Sequence, residues 1–61
     1  MEEVISRDIA EQLIREAVPL RSKIEQTKEL ITIKIYLSNG RILSVDYQPK
    51  RQYKQYYLLS N

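Results

Sequence analysis

The sequence predicts an α+β fold, in which a kinked N-terminal helix packs on a small antiparallel sheet in α-β-β-β order. Three observations support this class. Apolar residues recur at helical spacing through the first half of the chain, two alternating runs follow in the second half, and Asn-Gly separates those runs. Because the chain has only 61 residues, we expect one domain over residues 1–61.

The helix is predicted over about residues 6–28, with Ser6 or Asp8 capping its start. A set of apolar residues within it has the 3-4-3-4 spacing of a coiled-coil seam: Ala10, Leu13, Ala17, Leu20 and Ile24. Pro19 interrupts this pattern because it has no amide hydrogen to donate. Since the apolar face continues in phase beyond Pro19, we favour one kinked helix over two helices, the second of which would begin at Pro19.

Two strands forming a hairpin are predicted at about 30–37 and 41–48. A two-residue Asn39-Gly40 loop would place Asp46 among the isoleucines, whereas a three-residue Ser38-Asn39-Gly40 loop places it on the opposite face. Burying an unpaired carboxylate costs several kcal/mol. We therefore predict the three-residue loop, with Gly40 at positive φ in a bulge.

The segment after Pro49 is predicted to form a third strand at about 52–59. Tyr53, Tyr57 and Leu59 fit the alternation of a strand, while Tyr53, Tyr56 and Tyr57 fit one face of a helix. The density of tyrosine favours the strand.

The hairpin segment ITIKIYLSNGRIL, residues 31–43, is similar to the opening hairpin of Sm-like RNA-binding proteins, which also follows an N-terminal helix. The glycine that this family carries after its second hydrophobic pair is absent, and Ser44 lies near that position. The resemblance implies a hairpin, and no functional role is carried over from it.

The residue types needed for common enzyme sites are missing from the sequence. It contains no cysteine, no histidine and one glycine, which excludes disulfides, Cys-His and Ser-His-Asp sites and glycine-rich phosphate loops. The acidic residues near the N-terminus are typical of a solvated helix surface: Glu2, Glu3, Asp8, Glu11 and Glu16. We expect a non-enzyme without a catalytic site, metal site or cofactor.

Positive charge is concentrated in the second half of the chain, where residues 31–61 carry five basic groups and one acidic group. The candidate partner-binding residues are basic residues interleaved with tyrosines, together with one tyrosine of the hairpin: Tyr36, Lys50, Arg51, Tyr53, Lys54, Tyr56 and Tyr57. Tyrosine and arginine are favoured anchors of protein interfaces. The same residue types bind phosphates and stack on bases, and the tyrosines could instead fill the core.

A domain this small buries too little apolar surface to be very stable alone, so self-association is expected, most simply as a two-fold dimer. The candidate dimer interface is Leu13, Ala17, Leu20 and Ile24. In the alternative interpretation, the whole apolar arc faces the sheet of its own chain.

The function that these features favour is that of a small homodimeric binding protein, which regulates or inhibits an unidentified protein partner by occupying its surface. The alternatives are a nucleic-acid-binding module that uses the basic C-terminal segment, and a purely structural oligomer. The sequence has no apolar run of membrane-spanning length and begins Met1-Glu2-Glu3 without a signal-peptide region. We expect the protein in the cytoplasm. Its glycine-poor, Ile/Lys/Tyr-rich composition also suits a phage protein, which we would expect in the host cytoplasm.

Overall fold

The structure is a computed structural model that describes residues 2–59. Its elements are β1 (Glu2–Ile5), α1 (Arg7–Glu16), β2 (Pro19–Gln26), β3 (Ile31–Leu37), β4 (Ile42–Gln48), a short 3-10 turn (Pro49–Arg51) and β5 (Tyr53–Leu59). All five strands form one antiparallel sheet in the order β1-β5-β4-β3-β2. The α+β class is therefore confirmed, but the order is β-α-β-β-β-β. The ends of the predicted domain, residues 1, 60 and 61, lie outside the described residues.

The prediction of a helix over residues 6–28, kinked or split at Pro19, is wrong. Helix α1 begins after its N-cap Ser6 and ends at Glu16, since Ala17 is already extended with φ −139° and ψ 152°. Pro19 then starts β2, a position that a strand tolerates. Pairing with β3 supplies the backbone hydrogen bonds that a helix could not make through a proline, and this outweighs the helical spacing of the apolar residues.

The N-terminal strand β1 was missing from the predicted order. It has four residues, two of them glutamates, so it carries almost no alternating pattern. It forms because β5 offers it an unpaired edge. The three predicted strands agree with β3, β4 and β5 to within a residue or so at each end, and the last segment is a strand, as its tyrosines favoured.

The loop between β3 and β4 consists of Ser38-Asn39-Gly40. The amide of Leu37 donates to the carbonyl of Arg41 over 2.9 Å, and the amide of Gly40 donates to the carbonyl of Leu37 over 3.1 Å. Gly40 has φ +85°, a conformation that side-chain-bearing residues rarely adopt. In this register Asp46 faces away from the isoleucines and accepts a 3.0 Å hydrogen bond from the Thr32 hydroxyl.

The core lies between α1 and one end of the sheet. Leu13 and Ala17 pack on Leu37, and three partly buried side chains surround this cluster: Ile5, Ile35 and Leu58. The start of α1 is held by the Ser6 hydroxyl, which accepts from the amide of Ile9 over 3.2 Å. Residues on β1, β3 and β5 all contact the cluster, so the helix extends across several strands.

Candidate functional site

Strand alternation divides the sheet into a helix-side face and an outer face, and each cross-strand pair belongs to one of them. The covered row of the helix-side face consists of Leu58, Leu43 and Ile35, which lie opposite one another on β5, β4 and β3. Leu43 is only 1% exposed. Two of these three side chains contact the cluster under α1, so this row forms the floor of the core.

The next row on the same face begins at Ile5 of β1, which packs on the cluster under α1, and continues across the other four strands. Its members on those four strands are here called the apolar row. It consists of Tyr56, Val45, Ile33 and Ile24, paired in that order from β5 to β2. The first three are half-buried, and Ile24 is 63% exposed. None of the four is among the partly buried side chains that pack on the cluster under α1. The apolar row is therefore a strip of hydrophobic surface beside the helix.

A further row extends this surface away from α1. Ile31 lies opposite Tyr47, which lies opposite Lys54, and the Lys54 ammonium is 5.6 Å from the centre of the Tyr47 ring. This distance is within the range of a cation–π contact. The helix-side face thus ends in a positively charged corner.

The seven candidate partner-binding residues do not form one surface. Tyr36, Tyr53 and Tyr57 lie on the outer face, while Lys54 and Tyr56 lie on the helix-side face. The remaining two, Lys50 and Arg51, lie on the 3-10 turn and line an open groove with Glu29, Leu30 and Gln48. Alternation along β5 separates the neighbours of the sequence motif, because successive side chains of a strand point to opposite faces.

The four candidate dimer residues are also divided. Leu13 and Ala17 are buried in the chain's own core, whereas Leu20 and Ile24 are more than 60% exposed on β2. The coiled-coil spacing that connected them has no structural counterpart, because α1 ends at Glu16. Their part in an interface between two copies stays a prediction.

The outer face carries a group of cations that the sequence did not single out. The Arg21 guanidinium lies 4.4 Å from the centre of the Tyr36 ring, and Lys23 is directly opposite Lys34. We call these four residues the basic block. Arg21 and Lys23 were missed because they fell in the predicted helix. The alternation of Arg21 and Lys23 with Leu20, Ser22 and Ile24 is typical of a strand and could have placed these two cations on one face of a sheet.

Tyr57 lies near the centre of the outer face, opposite Val4 on one side and Ser44 on the other. Partial burial raises the pKa of its hydroxyl, and the carboxylates of Asp46 and Glu2 raise that pKa further. The phenol is therefore neutral at physiological pH and can donate a hydrogen bond to a bound partner.

No family model, curated protein or solved structure matches this chain. Within residues 2–59, no helix is both long enough and apolar enough to cross a membrane. The same residues contain no group of three or more side chains placed to hold a metal ion.

Proposed function

We propose that this chain is a small non-enzymatic binding protein that regulates or inhibits another protein by occupying its surface. The apolar row carries this proposal. Four hydrophobic side chains lie side by side across four strands, none of them packs on the cluster under α1, and each keeps part of its surface exposed. Exposed apolar strips of this kind mark protein interaction sites.

The size of the uncovered strip suits an α-helix of the partner. A seven-residue strand is about 23 Å long, and a helix with its side chains is about 10 Å wide. Helix α1 extends across the strands at one end of the sheet, which leaves room for a second helix beside it. A partner helix lying there would complete the helical layer over the sheet.

The chemistry of the partner helix follows from the residues around the strip. Its apolar face would contact Val45 and Ile33, and an acidic residue near one end would meet Lys54. Tyr56 supplies a large ring with a polar tip at the same end, which is a common interface anchor. The proposed partner therefore presents an amphipathic helix with an acidic flank.

Site-specific photo-crosslinking in cells of the source organism tests this proposal. A crosslinking residue in place of Val45 should yield a discrete protein adduct, while one in place of Gln55 on the outer face should not. With the captured protein purified, Val45→Lys should weaken binding at least tenfold, whereas Gln55→Lys should leave it within about twofold. Adducts formed equally from both positions, or from position 55 alone, would contradict the proposal.

A second candidate function, binding of single-stranded nucleic acid, is supported by the basic block. Arg21, Lys23 and Lys34 bring three cations beside the ring of Tyr36 on an open sheet face, which resembles the combination of charge and stacking that single strands require. Lys23 and Lys34 lie opposite each other across the strand pair, Glu25 compensates part of their repulsion from 3.4 Å, and a phosphate would relieve the remainder.

Salt dependence tests the nucleic-acid candidate. Three phosphate contacts predict a slope of about −2 for the logarithm of affinity against that of salt concentration, or about 20-fold weaker binding at four times the salt. Fluorescence anisotropy with a labelled oligothymidine measures this directly. Lys34→Ala should reduce the slope, whereas a reduction by Lys50→Ala instead would assign the binding to the basic C-terminal segment. Absent or salt-independent binding discards this candidate.

A further inference from the structure

We propose that β2 is a self-association edge, at which two copies pair antiparallel about a two-fold axis at Ile24. The two five-stranded sheets would join into one sheet of ten strands. The proposal goes beyond the proposed function, because it concerns the purified chain alone and requires no partner protein.

Strand β2 is an open edge over its whole length. Among residues 2–59 it is the last strand on its side of the sheet, and all eight of its residues are exposed. Leu20 is 68% exposed and Ile24 is 63% exposed. A long edge with apolar side chains is a template for pairing with another strand.

The hydrogen-bond pattern shows which backbone groups of β2 are available. Residues of an antiparallel strand alternate in the side to which their amide and carbonyl point. The hairpin to β3 closes with the amide of Thr27 donating to the carbonyl of Leu30 over 2.8 Å. Counting back in twos from Thr27, the residues that bond to β3 are Arg21, Lys23 and Glu25. The backbone groups that point outward belong to Ser22, Ile24 and Gln26.

Charge and overlap together select one register for the second copy, because an axis at Gln26 would set the bend residues Lys28 and Glu29 against β2. With Ile24 opposite Ile24 of the second copy, Lys23 lies opposite Glu25 of that copy, and the symmetry repeats this pair. A two-fold axis at Ser22 would instead set Arg21 against Lys23. An axis at Lys23 or Glu25 would set that residue against itself. Like charges directly opposite are destabilising and opposite charges are stabilising.

The same register also matches the part of β2 that pairs regularly with β3. The pairing of β2 with β3 shifts between Pro19 and Arg21 and is regular from Arg21 to Gln26. With the hairpin-closing Thr27 included, the regular segment is centred on Ile24. Two copies can therefore overlap over this whole segment before the irregularity near Leu20 interrupts the pairing.

Pairing at Ile24 also removes two unfavourable features of the isolated chain. Lys23 lies opposite Lys34 within its own sheet, and Glu25, whose carboxylate lies 3.4 Å from the Lys23 ammonium, compensates in part. The second copy adds another carboxylate there. On the helix-side face, Ile24 gains an apolar neighbour, and the apolar rows of the two copies become continuous.

The opposite edge of the sheet lacks these properties. Strand β1 has four residues, and two of them are the consecutive acids Glu2 and Glu3. Ile5 of β1 already packs on the core. A short, acidic edge resists pairing with its own copy, so we assign self-association to β2.

Charge reversal at the two paired positions tests the proposal. Lys23→Glu alone sets acids against acids, and Glu25→Lys alone sets lysines against lysines. Each single variant should therefore dimerise at least tenfold more weakly than the native chain in low salt. An equimolar mixture of the two should restore a heterodimer, because every acid then lies opposite a lysine. Sedimentation equilibrium measures all three, and the double exchange Lys23→Glu/Glu25→Lys, which should dimerise like the native chain, controls for folding.

A cysteine substitution provides a second readout, since the native chain has no cysteine. Ile24→Cys places two thiols directly opposite each other, with Cα atoms about 5.5 Å apart, within reach of a disulfide. Ser22→Cys is the matched control, because its counterpart lies about 13 Å away along the strand. We expect oxidation to crosslink the first variant only. A native chain that is monomeric at millimolar concentration, a dimer unaffected by both single reversals, or equal crosslinking at both positions would overturn the proposal.

Discussion

The covered row and the apolar row lie side by side on the same face of the sheet, yet only the covered row packs on the cluster under α1. Leu43 is 1% exposed, while Val45, two residues further along the same strand, remains half-buried. The two rows are about equally hydrophobic. The difference comes from α1, whose ten residues cover one end of the sheet and stop. The exposed surface of this protein is therefore determined by where its helix ends.

The connection after the helix maintains this difference. Val18 donates its amide to the Ser38 hydroxyl over 3.0 Å, and its carbonyl accepts from the amide of Ser38 over 2.8 Å. These two bonds tie the end of the helical segment to the turn between β3 and β4. The chain then enters β2 at the edge of the sheet and does not continue over the apolar row.

The largest expected effect is on the free energy of unfolding, and it should differ between the covered row and the apolar row. Leu43→Ala should lower the free energy of unfolding by about 2–5 kcal/mol, because it leaves a cavity at the one fully buried side chain of the covered row. Val45→Ala should cost less than half as much. Urea denaturation measures both, with a stabilising osmolyte present because a domain of this size has little stability to lose. Equal losses would mean that the apolar row is also covered in solution.

A second pair of variants compares a buried residue of α1 with a partly exposed residue of the same helix. Leu13→Ala should cost about 2–3 kcal/mol, since Leu13 is 5% exposed in the cluster. Ile14→Ala removes a side chain that is 39% exposed, and alanine favours the helix, so its cost should stay below about 1 kcal/mol. Thermal unfolding monitored by circular dichroism compares them. A larger loss at Ile14 would show that a different face of α1 lies on the sheet.

The turn between β3 and β4 sets the register of both rows. A substitution in this turn should therefore destabilise the covered row and the apolar row equally. Gly40→Ala should cost about 1 kcal/mol, because φ is +85° while the new methyl group meets no atom of the described residues within 4 Å. Gly40→Asn should cost less, since asparagine tolerates this conformation better. Chemical denaturation tests this order. An alanine variant as stable as the native chain would contradict the positive φ.

The smallest expected effect is a pH dependence of stability that arises from Tyr57 on the outer face. Because the pKa of Tyr57 is raised in the folded chain, its contribution to stability is complete below the ordinary tyrosine pKa and is lost as the pH rises through the folded value. Tyr57→Phe should therefore unfold less readily in alkali than the native chain. Denaturation curves at neutral and alkaline pH measure this difference. If the native chain and the Tyr57→Phe variant lost the same stability at alkaline pH, ionisation of Tyr57 would not be the cause of that loss.

The strands of the hairpin could be predicted because their pattern is local and strict. Ile33 and Ile35 alternate with polar residues, and the position of Asp46 distinguishes the two registers of the hairpin. The candidate binding surface could not be predicted in the same way. Tyr56 and Tyr57 are adjacent in the sequence but lie on opposite faces of β5, and their neighbours on those faces come from distant segments.

By itself, the sequence determined the α+β class, the three C-terminal strands and the absence of cysteine and histidine chemistry, since each depends on residue type or short-range spacing. Only the tertiary structure decided that residues 19–26 form a strand. Their apolar spacing fits a helix, but Pro19 cannot donate the hydrogen bond that a helix requires, and β3 offers an edge where every other residue of the segment can bond. That long-range pairing also decided which apolar side chains remain partly exposed beside α1.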